Sequence, residues 1–245
     1  MRLTILGSGD AFGSGGRFNT CFLVEFAERK ILLDCGASSL VAMRARGLDP
    51  NLIEGVILSH LHGDHYGALP FLLLDAQHAS HRTHPFTIAG PPGTRARLEG
   101  LIEAMFPRAW STKWRFPLEI VEIPLGVPTQ VLGLTVTTAE VVHFSGTPST
   151  AVRLTDGEKT LAYSGDTEWT DALLGIAKDA DLFIVECYDF ARDLTGHMSW
   201  GTLKTRSFGA RRVMVTHMNP SMLAHVGDVK AAGLLVAEDG ATITI

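Results

Sequence analysis

The sequence has 245 residues, of which 46% are hydrophobic and 19% are charged. This composition excludes an intrinsically disordered chain, because enough apolar surface is present to form a sizeable core. The 21 basic and 26 acidic residues give a formal net charge of −5. That balance argues against a protein that grips long nucleic acids through its overall charge. We find no linker, and we expect a single domain over residues 1–245.

The cysteines and the opening segment indicate a cytoplasmic protein. Cys21, Cys35 and Cys187 are too few and too scattered for a disulfide framework or a paired-cysteine metal motif. The opening MRLTILGSGDAFGSGG lacks the basic start and the long apolar run of a secretory signal. No stretch approaches the roughly 18 apolar residues of a membrane helix, so we expect no membrane partner.

The predicted elements alternate along the chain, with short branched apolar segments as strands and longer amphipathic segments as helices. Strands are predicted at 3–6, 21–26, 30–35, 55–59, 118–123, 134–142, 149–155, 159–164, 180–186, 211–217 and 241–245. Helices are predicted at 38–46, 64–80, 93–105, 169–177, 199–208 and 227–237. An α/β layering follows, either as two packed sheets with helices outside or as a doubly wound parallel sheet, and periodicity does not decide between them.

The strongest functional motif is SHLHGDHYG, directly after the apolar segment GVILS. Side chains alternate in an extended stretch, so His60 and His62 point to one side. Gly63 lets the backbone turn, and Asp64 and His65 can then face a second point. Two neighbouring cations therefore fit the motif better than one. Imidazole and carboxylate suit zinc, manganese or iron, and the lack of nearby cysteine argues against a closed structural zinc site.

Further ligand candidates stand at the ends of predicted strands or in the loops that follow them. They are His143 after AEVV, Asp166 in YSGDTEW, His197 in TGHMSW and His217 at the end of RRVMVTH. Side chains at strand ends point into a shared crevice that rigid strands hold in place. Glu186 is a further candidate, as a carboxylate that could orient a metal-bound histidine.

These motifs resemble those of the metallo-β-lactamase superfamily, whose hallmark is H-x-H-x-D-H followed by a distant His, Asp and His. The resemblance implies an α/β (α+β) fold, a four-layer αββα sandwich with a dinuclear metal site at one edge of its two sheets. It also implies two divalent ions, zinc first, with manganese or iron as alternatives. The implied ligands are His60, His62 and His143 for one ion, Asp64, His65 and His217 for the other, and Asp166 as the bridge.

Within this superfamily the chain is most similar to the ribonuclease Z group. The opening LGSGDAFGSGGRFNTCFLVE and the short motifs GPPG, SGDT and GHMS look like markers of that group. One departure concerns an inserted arm, which in ribonuclease Z clasps transfer RNA and lies between the third histidine and the GDT motif. Here only residues 144–165 separate His143 from Asp166, which leaves no room for the arm. A small-molecule partner is therefore favoured over nucleic acid.

The resemblance implies a metal-dependent hydrolase, and His197 favours a phosphodiesterase that acts on a small or cyclic phosphodiester or a nucleic acid end. Hydroxide activated by two metals would be the nucleophile. Asp64 would orient the attacking water or take its proton, and His197 would protonate the leaving oxygen. The alternatives are hydrolysis of esters, thioesters or lactones, processing of transfer RNA 3′ ends, and a binding protein without turnover. Relatives in the group often form dimers, which adds a homodimer to the expectations.

Overall fold

The computed structural model describes residues 1–245 and contains fourteen strands and eight short to medium helices. The strands are β1 (Arg2–Gly7), β2 (Cys21–Phe26), β3 (Arg29–Leu33), β4 (Gly55–Ile57), β5 (Phe86–Gly90), β6 (Leu118–Glu122), β7 (Thr129–Val131), β8 (Leu134–Glu140), β9 (Thr150–Thr155), β10 (Thr160–Tyr163), β11 (Leu182–Glu186), β12 (Val213–Thr216), β13 (Leu235–Val236) and β14 (Thr242–Thr244). The helices are α1 (Ser39–Ala45), α2 (Gly63–Tyr66), α3 (Leu69–Leu74), α4 (Thr94–Met105), α5 (Ala172–Ala177), α6 (Trp200–Leu203), α7 (Pro220–Leu223) and α8 (Val226–Ala231). None of them combines the length and the apolar character that a membrane-crossing helix requires.

The strands form two sheets of seven, and each sheet mixes antiparallel and parallel pairs. The first sheet has the order β14-β1-β2-β3-β4-β5-β6, and the second has the order β13-β12-β11-β10-β9-β8-β7. Pairing is antiparallel from β14 to β3 and parallel from β3 to β6. The second sheet repeats this arrangement, antiparallel from β7 to β10 and parallel from β10 to β13. The loops that follow β4, β8, β10 and β12 carry the candidate site residues.

Three apolar clusters separate four layers. The cluster between the sheets contains Ile5 and Phe22 from the first sheet and Leu154 and Ile184 from the second. The opposite face of the first sheet packs against α1, α3 and α4, and that of the second packs against α5 and α8. Alternate residues along a strand enter different clusters, as the pleat requires. The predicted αββα sandwich is confirmed, and a single doubly wound sheet is excluded.

Several predicted elements differ from the observed ones. Strands β5, β7 and β13 were not among the predicted strands. The helix predicted at 227–237 is wrong in its second half, because α8 ends at Ala231 and Gly233 adopts a left-handed conformation with φ of 80°. The helix predicted at 199–208 is a single turn, α6. The one predicted at 64–80 consists of α2, α3 and a π-helical turn at Asp75–Ala79.

The cluster between the sheets makes a testable contribution to stability. Leu154 is 0% exposed within it, whereas Leu52 is 54% exposed on the surface. We expect Leu154→Ala to lower the free energy of unfolding by about 2–5 kcal/mol, because it removes buried methyl groups and leaves a cavity. The matched Leu52→Ala variant should stay within about 0.5 kcal/mol of the wild type. Urea unfolding followed by circular dichroism measures both, and equal effects would contradict the assignment of the core.

Candidate metal centre

The first sheet contributes one contiguous group of polar side chains. Strand β4 ends at Ile57, and His62, which has φ of −85° and ψ of 151°, directly precedes the next helix. The backbone then turns into α2, which carries Asp64 and His65. Gly36 lies against this turn, where an added Cβ atom would come within 2.1 Å of the Asp64 carbonyl oxygen. The close approach of these two loops therefore requires glycine at position 36.

The second sheet contributes three separate side chains from the carboxyl ends of three strands. His143 follows β8, Asp166 follows β10, and His217 is the first residue after β12. His217 has φ of 59°, in the left-handed region that non-glycine residues rarely adopt. Its backbone N–H donates to the Ser8 carbonyl oxygen over 3.2 Å. The N-terminal loop thus fixes the backbone of His217.

The structure brings these seven side chains together at one edge of the sandwich. Two groups of these side chains form, His60, His62 and His143 in one and Asp64, His65, Asp166 and His217 in the other, and the candidate ligand atoms of each group all lie within 4.8 Å of one another. His143 and Asp166 also lie within this distance of His197. Each of the two groups combines side chains from both sheets.

Asp166 lies between the two groups. Its Oδ1 atom is 3.3 Å from Nε2 of His65, and its Oδ2 atom is 3.2 Å from Nε2 of His217. Oδ2 is also 3.9 Å from Nε2 of both His60 and His143. One carboxylate therefore faces imidazoles of both groups.

Four of the histidines are oriented through their Nδ1 atoms. Nδ1 of His65 pairs with Oδ2 of Asp34 at 2.7 Å, and Nδ1 of His143 pairs with the Gly196 carbonyl oxygen at 2.8 Å. His60 and His217 have hydroxyl partners, Ser59 at 3.1 Å and Thr20 at 3.3 Å. Such contacts fix the ring orientation and leave Nε2 as the ligand atom.

Asp34 is the functional residue that sequence reasoning missed. Its buried carboxylate accepts hydrogen bonds from the backbone N–H and the hydroxyl of Ser59 and pairs with His65. The available signal was an acidic residue directly after the apolar strand KILL, with no polar neighbour to explain it. Asp34 supports the site without belonging to either group of ligand atoms.

The donor atoms fit divalent cations. Nε2 of His60, Nε2 of His65 and Oδ1 of Asp166 are buried without a hydrogen-bond partner, a costly state that coordination would relieve. Burial holds the pKa of His60 well below its ordinary value, so the ring is a neutral ligand. Burial opposes ionisation of Asp166, but His217 and His65 outweigh it and hold the pKa of its carboxyl well below its ordinary value. The cluster is accordingly a binding site for divalent metal.

His197 stands beside the two groups and has a carboxylate of its own. Its Nδ1 atom is 3.1 Å from Oε2 of Glu186, which is fully buried at the end of β11. The ring of Tyr188 stacks on His197 with centroids 4.6 Å apart. Burial opposes protonation of His197, but the hydrogen bond and charge of Glu186 outweigh it and raise the pKa of His197 to about 9. Glu186 therefore orients His197, whereas the sequence suggested a metal-bound histidine as its partner.

A cavity of about 130 Å³ opens onto both groups. Three features beyond the two groups contribute to its wall: His197, Tyr188, and the loop residues Ala11 and Phe12. His225 does not line it, and its ring instead stacks on Phe190 with centroids 3.7 Å apart.

Comparison with solved structures identifies the fold. The metallo-β-lactamase fold protein YhfI from Bacillus subtilis superposes with a TM-score of 0.80 at 22% identity, over 99% of this chain and 98% of that one. Human tRNase Z, short form, superposes with a TM-score of 0.77 at 22% identity, over 100% of this chain and 99% of that one. These likenesses confirm the metallo-β-lactamase fold.

Comparison of sequences identifies the relatives and the family. Ribonuclease Z from Alkaliphilus oremlandii is 33% identical over 126 residues, which are 51% of this chain and 38% of that enzyme. The chain thus matches well under half of that relative's length, while the expected likeness to the ribonuclease Z group is confirmed. The model of the family described as "Anti-Pycsar protein Apyc1" matches residues 1–239. Since this match takes in all the residues of the metal centre, the chain belongs to the Anti-Pycsar protein Apyc1 family.

Proposed function

We propose that this protein is a metal-dependent phosphodiesterase that hydrolyses a small or cyclic phosphodiester. The observation that carries the proposal is the position of His197, held by Glu186 at 3.1 Å beside a cluster suited to divalent cations. An oriented acid is most useful when the leaving group is a poor one, such as the alkoxide of a sugar. The likeness to enzymes named ribonuclease Z also supports phosphodiester chemistry.

Two divalent ions, zinc first, are the proposed cofactors. His60, His62 and His143 would hold one ion, and Asp64, His65 and His217 the other, with Asp166 between them. When bound, such ions lower the pKa of a water molecule and polarise a phosphoryl oxygen. The ligand set contains only imidazole and carboxylate, which manganese and iron also accept.

Asp64 is the residue proposed to orient the attacking water. Its carboxylate lines the cavity, and its Oδ2 atom is 3.4 Å from Nε2 of His65. Burial opposes its ionisation, but His65 outweighs burial and lowers the pKa of Asp64 to about 2. The carboxylate is therefore ionised at neutral pH and can accept a hydrogen bond from a water molecule aimed at phosphorus.

His197 is the proposed proton donor to the leaving oxygen. Glu186 engages Nδ1, which leaves Nε2 as the ring nitrogen that can face the substrate. In the balanced reaction, water adds one oxygen to phosphorus, the ester P–O bond breaks, and the proton from His197 goes to the departing alkoxide. The products are a phosphomonoester and an alcohol, and the proton that the water lost restores the acid through solvent.

The short interval between His143 and Asp166 favours a small substrate. Strands β9 and β10 fill the interval between His143 and Asp166, and they are joined by a tight turn at 156–159. No arm extends from this interval to hold a folded RNA. Processing of transfer RNA remains the second candidate function, supported by the named relatives alone.

Hydrolysis of bis(p-nitrophenyl) phosphate tests the proposed class of reaction. We expect the protein loaded with zinc or manganese to release p-nitrophenolate at a rate that depends on the metal, measured by absorbance. His60→Ala is the blank, because it removes one ligand from the buried cluster. Turnover equal to this blank, together with hydrolysis of carboxylic esters or lactones, would contradict the proposal.

Replacement of His197 separates proton donation from metal binding. We expect His197→Ala to retain both metals and to lower kcat by about 10²–10⁴-fold on a cyclic ribose phosphate, whose alkoxide leaves poorly. The loss should be much smaller for p-nitrophenolate, which leaves without a proton. Glu186→Gln is the matched control, since it keeps a hydrogen-bonding group but removes the charge, and it should give an intermediate loss. Equal losses on both substrates, or release of metal, would count against the assignment.

Replacement of His217 tests the proposed ligand set. We expect His217→Ala to retain one equivalent of zinc and to release the other after dialysis, as measured by inductively coupled plasma mass spectrometry. His225→Ala is the control, because this neighbouring histidine lies outside both groups. The assignment fails if His217→Ala keeps two equivalents or if His225→Ala loses one.

A further inference from the structure

Phe12 has an apolar side chain that is exposed to solvent. Its side chain is 81% exposed although it forms part of the wall of the metal cavity. Aromatic side chains are common in the walls of ligand pockets, where they contact the bound ligand. The rest of that wall is dominated by imidazole and carboxylate groups, so Phe12 adds a different chemistry to one side of the cavity.

The exposure of Phe12 does not come from a loosely held loop. The Phe12 backbone N–H donates to Oδ1 of Asp10 over 3.1 Å. The same carboxylate accepts hydrogen bonds from the Ser14 backbone N–H at 2.9 Å and from the Ser14 hydroxyl at 2.7 Å. Asp10 and Ser14 are buried, so these bonds fold the tip of the loop around a fixed point.

The base of the same loop is fixed by a residue from the far end of the chain. The Asp239 carboxylate accepts hydrogen bonds from the backbone N–H groups of Ser8 and Phe18, each at 2.8 Å. The Ser8 carbonyl oxygen in turn accepts from the backbone N–H of His217. The backbone of the loop that presents Phe12 is therefore tied directly to a residue of the metal centre.

We propose that Phe12 is a specificity-determining residue that stacks on a planar aromatic group carried by the substrate, a nucleobase being the natural example. This inference rests on the proposed function, since it adds a second recognition element to the same site. A flat ring in a phosphodiester offers an apolar face that carboxylate groups cannot match. An exposed phenyl ring on an anchored loop beside the cavity can stack on that face, as aromatic side chains do on bases.

Phe144 provides a matched control within the same chain. It is 88% exposed and directly follows His143, but it does not line the cavity. If exposure of an aromatic ring near the metal centre were sufficient for substrate binding, both residues would contribute equally. The proposal distinguishes them, because only Phe12 faces the space next to the two groups.

The test compares substrates with and without the aromatic group. Steady-state kinetics are measured for adenosine 3′,5′-cyclic monophosphate and for the base-free methyl riboside 3,5-cyclic phosphate, with the zinc-loaded protein. We expect Phe12→Ala to raise KM about tenfold for the nucleotide alone, with kcat within about twofold of the wild type. Phe12→Tyr should restore KM because it keeps the ring, and Phe144→Ala should leave KM unchanged.

A binding measurement separates this inference from the proposed function. Calorimetric titration with adenosine 5′-monophosphate and with ribose 5-phosphate requires no turnover. If Phe12→Ala binds the nucleotide tenfold more weakly and ribose 5-phosphate unchanged, the stacking of Phe12 is supported. This holds even if neither cyclic substrate is hydrolysed, because the absence of hydrolysis contradicts the proposed substrate and not the stacking. Equal affinities of Phe12→Ala and the wild type for the nucleotide would overturn the inference. So would an equal loss in Phe144→Ala, or a change in sedimentation that makes Phe12 a contact between copies of the chain.

Discussion

The contact of the Asp166 carboxylate with histidines of both sheets is the interaction on which the metal centre depends. Asp166 belongs to the second sheet, yet its Oδ1 atom lies 3.3 Å from His65 of the first. Neither group of ligands is complete on one sheet, so the apolar layer between the sheets sets the distances within the centre. A shift of one sheet against the other would separate atoms that must stay within a few ångströms, and a close-packed core resists such a shift.

Around this point the fold surrounds the histidines with partners that leave one ring nitrogen free. Asp34 holds His65, the Gly196 carbonyl oxygen holds His143, and Glu186 holds His197. The first two contacts orient candidate metal ligands, whereas the third raises the pKa of His197 to about 9. In all three, the oxygen partner engages Nδ1 of the ring and so fixes its orientation.

Sequence reasoning found the features that depend on neighbouring residues. Branched apolar segments predicted most strands, and the spacing of His60 to His65 predicted the metal cluster, because alternation and a glycine turn are local. Strand β13 could not be predicted from the sequence, because its two residues form a strand only through parallel pairing with β12. Gly233 was the local sign that the preceding helix had ended. The role of Asp34 could not be predicted, because its partner His65 is remote in sequence and no motif contains both residues.

The tie between Asp239 and the N-terminal loop has a consequence for how the protein is made. Asp239 and strand β14 come after every residue of the metal centre in chain order, yet β14 pairs with β1 and Asp239 anchors Ser8. During synthesis, one edge of β1 therefore stays unpaired until β14, near the end of the chain, has been made. Contacts of such sequence separation form slowly. The emerging chain thus has an open strand edge that chaperones or other nascent chains can reach before the centre is assembled.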